Sequence, residues 1–176
     1  MTFTKNHVCM FLRRALLAAG IALFSCPFLM AQKQTEEGGV VKIINQLFKG
    51  MENGDSAMVR NSFAKDITMA TVRHDKEGNT LLQRESSLAG FLKAIGTPHP
   101  EKWYEEIWNT KVQIDDNFAQ VWCDYAFYVG NKFSHCGVDA FHLRKGPDGW
   151  KIFHLADTRR STNCDIPKDI TRKHNQ

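Results

Sequence analysis

The sequence predicts an α+β fold, in which a cone-shaped, curved antiparallel sheet wraps around three helices from the N-terminal half of the domain. Three observations lead to this prediction. Residues 40–95 alternate between helical and short strand patterns, residues 103–158 form long, aromatic, alternating strands, and compact turns at 130–132 and 146–149 separate the last three strands. Helices grouped on one side of an antiparallel sheet define the α+β class, and a half-open cone of this kind suits a small ligand.

The predicted elements follow one another without repeats. An apolar stripe over residues 40–51 indicates the first helix, Gly54 ends it, and Asp55 or Ser56 begins a second short helix. A β-hairpin, a third helix and four antiparallel strands come next. Their predicted ranges are 67–72 and 80–84 for the hairpin, 88–95 for the helix, and 103–114, 118–129, 133–145 and 150–158 for the strands.

The first 31 residues are predicted to be a secretory signal peptide. They combine a basic start at Lys5, Arg13 and Arg14, an apolar core over residues 15–24 and a small residue for cleavage, Ala31. We therefore expect a periplasmic or secreted protein with no integral membrane span after cleavage.

Two alternatives to simple cleavage of the signal peptide are less favoured. A retained membrane anchor is disfavoured because the apolar stretch is short for a spanning helix and Pro27 interrupts it. Lipidation at Cys26 is less favoured than cleavage because the bulky Phe24 stands where a lipoprotein box needs a small residue. The segment carries three basic residues and no acidic ones, so its loss lowers the net charge from +4 to +1. No nucleic-acid partner is expected at that charge.

The rest of the chain is long enough for one domain with one sizeable core. We expect a polar lead over residues 32–38, a single domain over 39–164 and a flexible tail over 165–176. Three cysteines lie in this part, and an odd number leaves at least one free thiol. We interpret Cys123 and Cys136 as buried free thiols on opposite faces of the sheet.

Strand alternation predicts which side chains share the concave face. On residues 118–129 the odd positions are the more uniformly apolar set, and we assign them to that face. A three-residue turn would pair Val129 with Phe133, and this register also pairs Phe127 with His135 and Cys123 with Asp139. Solvent exposure of Lys151 would then turn His154 inward.

On this register, polar groups converge in one cleft. Asp139, His135 and His154 would form the acid–base set if the protein is an enzyme. The residues expected to line the ligand pocket are Tyr125, Phe127, Cys123, Phe141 and Trp108, with Phe91 as a further apolar wall. The competing interpretation is a satisfied polar pair in the core without turnover. The spacing of the three polar residues matches no metal signature, and neither a metal nor a cofactor is expected.

Several motifs resemble those of a known superfamily. They are residues 46–48 with Gly54 and Asp55, residues 121–127, the more specific string at 133–141, and residues 149–160. Together they resemble the nuclear transport factor 2-like superfamily, which has a cystatin-like roll. The closer resemblance is to exported bacterial proteins of the lumazine-binding and SnoaL-like groups. The resemblance implies a cone that non-catalytic binding modules share with enzymes such as ketosteroid isomerase, scytalone dehydratase and polyketide cyclases.

Three functions fit these expectations. The first is an exported module that binds a small apolar or aromatic ligand in an apolar, polar-tipped pocket. The second is a cofactor-independent lyase or isomerase. The third is a dimeric protein-interaction module, since an exposed aromatic patch of Trp122 and Tyr128 on the convex face predicts a homodimer.

Overall fold

The structure is a computed structural model that describes the backbone of residues 26–175 and the side chains of residues 34–175. Most of the predicted signal peptide therefore lies outside the described residues. Among the described residues, 39–175 belong to one compact unit and 26–38 to another. The elements are α1 (Cys26–Asn53), α2 (Ser56–Ser62), β1 (Phe63–His74), β2 (Thr80–Glu85), α3 (Ala89–Gly96), β3 (Trp103–Asp115), β4 (Phe118–Val129), β5 (Lys132–Gly146), β6 (Gly149–Arg159) and α4 (Lys168–His174).

The two N-terminal helices are joined by a turn of the predicted kind. Gly54 has a φ of +66°, a left-handed conformation that favours glycine after a helix. The Asp55 side chain then caps α2 by accepting a hydrogen bond from the backbone N–H of Met58 at 2.8 Å. Residues 32–38, which we expected as a polar lead, are helical and form part of α1. None of the helices within residues 26–175 has the length and apolar composition that a membrane span requires.

The six described strands form one sheet in the order β2-β1-β6-β5-β4-β3. All neighbouring strands are antiparallel except β1 and β6, which run parallel. The expectation of an antiparallel sheet is therefore corrected at this one pair. The parallel pair joins the N-terminal hairpin to the last strand, so both contribute to one continuous inner face, which we define as the face packed against α1, α2 and α3.

The main core lies between the helices and this inner face. The predicted stripe of α1 supplies Val40, Ile44, Leu47 and Met51, all of which are buried. Alternate residues of β4, β5 and β6 meet them from the sheet. These are Ala119, Val121, Cys123, Phe141, Leu143, Trp150 and Ile152. The predicted assignment of odd positions on β4 to the inner face is thus confirmed.

The β4–β5 hairpin has the predicted register along most of its length, but not at its turn. Cys123 pairs with Asp139 and Phe127 with His135, whereas Val129 pairs with Lys132 rather than Phe133. The turn is one residue shorter than expected, and a β-bulge beyond Phe127 inserts one extra residue, so the two differences cancel.

A second apolar cluster covers the outer face, which is the face opposite the helices. It contains Ala126, Tyr128, Cys136 and Ile170, and Trp108, Phe133 and Ile166 pack against it. A disulfide joins Cys136 to Cys164, so the interpretation of Cys136 as a free thiol is wrong, while Cys123 is free and buried as expected. The two paired cysteines face the same cluster, which alternation along β5 alone could not reveal.

The residues from 165 onward are not the flexible tail that we expected. Lys168–His174 forms α4, in which Ile170 and His174 are buried. The His174 ring stacks on Tyr128 with centroids 3.9 Å apart, and its Nε2 lies 3.0 Å from Glu106 Oε1. These contacts and the disulfide fix the segment on the outer face. They also bury Tyr128, so Trp122 is the member of the predicted convex patch that is left exposed.

Candidate functional site

A cavity of about 270 Å³ lies between the helices and the inner face of the sheet. Its walls are mainly apolar and aromatic, and its polar groups come from the sheet. The residues that line it are Leu47, Phe48, Met51, Phe91, Trp103, Glu105, Tyr125, Phe127, His135, Asp139, Leu155, Asp157 and Arg159. We call it the inner cavity. An apolar cleft with a few convergent polar groups is typical of small-molecule sites.

Four of the predicted site residues line the inner cavity: Asp139, His135, Tyr125 and Phe127. They project from β4 and β5 at paired inner-face positions. Phe91, expected as an apolar wall, also lines it. The structure therefore brings together the part of the predicted site that depended on the β4–β5 register.

Two predicted pocket residues face the same side but belong to the core instead. Cys123 and Phe141 are fully buried in the main cluster and do not line the cavity. Phe141 meets Phe48 edge to face, with ring centroids 6.2 Å apart. Burial, with the nearby Asp139 and Glu105 charges, raises the pKa of the Cys123 thiol, which therefore stays protonated.

His154 was predicted to face the cavity, and this prediction is wrong. Leu143 pairs with Ile152 while His142 pairs with His154, so β6 carries a one-residue bulge at Phe153. The bulge reverses the faces of all later residues in β6. His154 consequently lies beside His142, with ring centroids 5.4 Å apart, and its Nδ1 lies 2.6 Å from Thr68 Oγ1. Asp157 enters the inner cavity instead.

Trp108 was also predicted in the pocket and lies on the outer face. It pairs with Asp124 and packs against the cluster that contains Tyr128 and Cys136. The neighbouring inner-face positions of β3 are Glu105 and Ile107, which pair with Phe127 and Tyr125. The inner face of β3 therefore contributes the carboxyl group of Glu105 to the cavity, where the prediction placed the indole ring of Trp108.

The Asp157 carboxylate is contacted by three side chains from different strands. Thr71 Oγ1 on β1 donates to its Oδ1 at 2.6 Å, and Arg159 Nε donates to its Oδ2 at 2.6 Å. The Tyr125 hydroxyl is 3.3 Å from Oδ2 and donates to the carbonyl oxygen of Thr158 at 2.9 Å. The ion pair between Asp157 and Arg159 forms the polar floor of the cavity.

Glu105 and Asp139 are joined by a side-chain hydrogen bond. Two carboxyl groups can hydrogen-bond only when one of them carries a proton. Burial, reinforced by the charge of Asp157, raises the pKa of Glu105 to about 8. Burial and the nearby charges of Glu105 and Asp157 likewise raise the pKa of Asp139 well above its usual range. The pair therefore holds at least one proton near neutral pH and titrates as a unit.

Asp139 has one oxygen to which no group in residues 34–175 is hydrogen-bonded. The side chain is 3% exposed, and its Oδ2 is buried without a partner. A buried polar atom that stays unpaired costs free energy, so such an atom at a cavity wall indicates a partner from outside the chain.

His135 stands at the rim of this polar group. Its ring packs against Tyr125 and Phe127, with centroid distances of 5.7 and 5.1 Å, and its Nδ1 lies 3.0 Å from Ser134 Oγ. Burial, together with the positive charge of Arg159, lowers the pKa of His135. The imidazole is therefore neutral at neutral pH and can accept or donate a proton through Nε2.

The arrangement supports hydrogen bonding and proton exchange with a bound molecule. A proton-sharing carboxyl pair, a neutral imidazole and a tyrosine hydroxyl are gathered at one end of an apolar cavity. Within residues 34–175, no three His, Cys, Asp or Glu side chains are grouped so as to hold a metal ion.

Sequence reasoning missed Glu105, Asp157 and Arg159. Glu105 alternates with Trp103 and Ile107, and a carboxylate within an otherwise apolar inward set was a usable sign. The spacing of Asp157 and Arg159 put them on one face, but the bulge at Phe153 concealed which face it was.

Comparison with known proteins agrees with this architecture. Residues 35–154 match a family described as "Putative lumazine-binding". The match covers more than half of the chain and stops before Asp157 and Arg159. No curated protein matches the chain.

Solved structures share the fold at low sequence identity. A nuclear transport factor 2-like protein with a cystatin-like fold from Novosphingobium aromaticivorans is 12% identical, with a TM-score of 0.60 over 87% of this chain and 97% of that one. A putative dehydratase of the same superfamily from Streptomyces avermitilis is 16% identical, with a TM-score of 0.57 over 74% and 99%. A putative scytalone dehydratase from N. aromaticivorans is 11% identical, with a TM-score of 0.60 over 79% and 93%. The chain belongs to the family described as putative lumazine-binding, and it shares its fold with nuclear transport factor 2-like proteins.

Proposed function

We propose that this protein binds a small, mainly apolar or aromatic molecule in the inner cavity. The observation that carries the proposal is the unpaired Oδ2 of Asp139 at the polar end of an otherwise apolar cavity. The aromatic walls bury the body of the ligand, and the carboxyl pair recognises one hydrogen-bonding group. The family match supports ligand binding of this kind.

The proton that Glu105 and Asp139 share determines which ligand groups the site can bind. A carboxyl–carboxylate pair uses its shared proton for the hydrogen bond between its two members, and its remaining oxygen lone pairs accept hydrogen bonds from a ligand. A ligand group that donates, such as an amide N–H, a phenol or a ring N–H, matches it. Because the pair is already desolvated, a matched ligand group restores hydrogen bonds that water cannot supply there.

Two measurements test the proposal. Mass spectrometry of protein purified from the producing cell should show a small molecule retained at a fixed stoichiometry. In addition, the neutral fluorescent probe N-phenyl-1-naphthylamine should bind the purified domain in a 1:1 complex. Leu155→Trp, which fills the cavity from its wall, should abolish binding, whereas Trp122→Ala on the outer face should not. Binding that survives Leu155→Trp and is lost with Trp122→Ala would contradict the proposal.

A second candidate is a cofactor-independent lyase or isomerase. The observation that favours it is the position of the raised-pKa carboxyl pair beside the neutral His135. Such a pair can accept a proton from carbon while the imidazole or the Tyr125 hydroxyl stabilises a developing oxyanion. The two dehydratase-like structural neighbours share only the fold with this chain. Steady-state assays with the identified ligand, in wild type and Asp139→Asn, separate turnover from simple binding.

Export and assembly complete the proposal. We propose cleavage after Ala31 and release into the periplasm or the medium, on the basis of the basic start and apolar core of the first 31 residues. A homodimer through the outer face is also proposed. Because α4 covers Tyr128, such a contact would centre on Trp122, which is 48% exposed.

A further inference from the structure

A second cavity of about 330 Å³ adjoins the inner cavity at the edge of the sheet. It is lined by Met69, Ala70, Thr71, Arg73, Gln83, Glu85, Gly90, Phe91, Leu155, Asp157 and Arg159. We call it the edge cavity. Phe91, Leu155, Asp157 and Arg159 line both cavities, so the two spaces meet at these side chains. A molecule that extends past Leu155 would occupy both.

Two arginines that line the edge cavity occupy paired positions on neighbouring strands. Arg73 on β1 pairs with Arg159 on β6 in the parallel ladder, so both side chains project from the same face of neighbouring strands. Like charges at directly paired positions repel each other. Arg159 is compensated through its Nε by Asp157 at 2.6 Å. Within residues 34–175, the exposed side chain of Arg73 makes no ion pair or hydrogen bond.

The edge cavity is lined by two arginines and two acidic residues, Asp157 and Glu85. Asp157 is already hydrogen-bonded to Thr71 and lies beside the Tyr125 hydroxyl. Glu85 accepts a hydrogen bond from Gln83 Nε2 at 3.2 Å and pairs with Met69, which lies four residues before Arg73 on β1. Glu85 thus bounds the site on one side without neutralising Arg73.

We infer that the ligand is an organic acid with an apolar body, whose anionic group lies against Arg73 and Arg159 in the edge cavity. This inference rests on the proposed function, because the apolar body occupies the inner cavity. The guanidinium of Arg73 and the Nη atoms of Arg159 present planar donors that suit a carboxylate or a phosphate. The Glu105–Asp139 pair then contacts the hydrogen-bonding group at the other end. The distance between the two polar ends selects ligand length.

A matched pair of fluorescent probes tests the inference. 1-Anilinonaphthalene-8-sulfonate and N-phenyl-1-naphthylamine share a ring system and differ by one sulfonate, which stands in for the ligand's anionic group. Arg73→Gln should weaken binding of the sulfonate roughly tenfold, the usual effect of losing a charge-assisted hydrogen bond. The same change should leave binding of the neutral probe within about twofold. Arg73→Lys, which keeps the charge, should recover part of the sulfonate affinity.

The control is Arg84→Gln. Arg84 lies on β2 near the same edge, but it pairs with Ala70 and lines neither cavity, so both probes should bind as they do to wild type. Equal effects of Arg73→Gln on the two probes, or no effect on either, would overturn the inference and leave the proposed function standing. Failure of both probes to bind wild-type protein would contradict the proposed function, and the inference with it.

Discussion

Glu105 and Asp139 are hydrogen-bonded to each other on the inner face of the sheet, although they belong to β3 and β5, which β4 separates. The curvature of the sheet brings the two carboxyl groups together, and burial keeps a proton between them. Neither residue stands out in the sequence as one half of a pair. Because of this contact, the two acidic residues share a proton at the wall of the inner cavity.

This pair predicts the effect of the most direct substitution. Asp139→Asn keeps the shape of the side chain and removes one of the two carboxyl groups. We expect binding of N-phenyl-1-naphthylamine, or of the retained ligand, to weaken by roughly 1–3 kcal/mol, the cost of a mismatched buried hydrogen bond. The control is Asp124→Asn. The wild-type Asp124 side chain lies outside the cavity and accepts a hydrogen bond from Asn109 at 2.7 Å. An equal loss in both variants would point to a general effect on folding.

Protein stability should depend on the proton of this pair. The folded-state pKa of Glu105 is raised to about 8 from 4.5, so the folded protein binds more protons than the unfolded chain between these values. The free energy of unfolding should therefore fall as the pH rises from about 4.5 to about 8, and Asp139 acts in the same direction.

Glu105→Gln should flatten this pH profile. Above pH 8 the variant should be more stable than wild type by roughly 1–3 kcal/mol, because a neutral amide replaces a buried charge. Urea denaturation across the pH range measures the effect. Glu77→Gln in the exposed turn between β1 and β2 is the matched control. A wild-type stability that rises from pH 5 to pH 8, or a Glu105→Gln profile no flatter than that of Glu77→Gln, would contradict the assignment.

The disulfide should stabilise the packing of the C-terminal segment. Cys136 and Cys164 close a loop with a sequence separation of 28. Cys164→Ser should lower the free energy of unfolding by about 3–4 kcal/mol on the chain-entropy account. Wild type in a reducing agent should show the same loss, and the variant should be insensitive to the reductant. A variant as stable as oxidised wild type would show that the α4 contacts suffice without the bond.

Gly137 is predicted to tolerate no side chain. A Cβ there would lie 1.8 Å from the carbonyl oxygen of Thr158 and 2.8 Å from the Tyr125 ring. Gly137→Ala should destabilise the fold by roughly 1–3 kcal/mol or more and disturb the Tyr125 hydrogen bonds in the cavity. Gly90→Ala is the contrasting case, because nothing lies within 4 Å of its Cβ and the residue is helical, so a small gain in stability is expected. Thermal denaturation of the two variants should give shifts of opposite sign.

Much of the fold could be predicted because its periodic patterns are long. The α1 stripe and the alternation on β4 have clear apolar periods, and both faces were assigned correctly from them. The position of Asp139 followed from the β4–β5 register, in which a shorter turn and a bulge compensate each other.

The rest of the site depends on features that the local periodicity of the sequence does not reveal. A bulge at Phe153 shifts β6 by one residue, and this single shift exchanges His154 for Asp157 in the cavity. The parity of β3 could be assigned only once its pairing with β4 was known, which is why Trp108 was expected where Glu105 lies. Docking of α4 and the disulfide are long-range contacts between short segments whose composition resembles that of a flexible tail.

A crystal structure of the domain with N-phenyl-1-naphthylamine tests the central claim most directly. The account predicts the naphthyl ring among Phe91, Phe127 and Leu155, with the amine nitrogen of the probe within about 3.2 Å of Asp139 Oδ2. A probe bound on the outer face near Trp122 while the inner cavity holds only water would contradict the claim. So would a structure in which Asp139 Oδ2 pairs with another group of the chain.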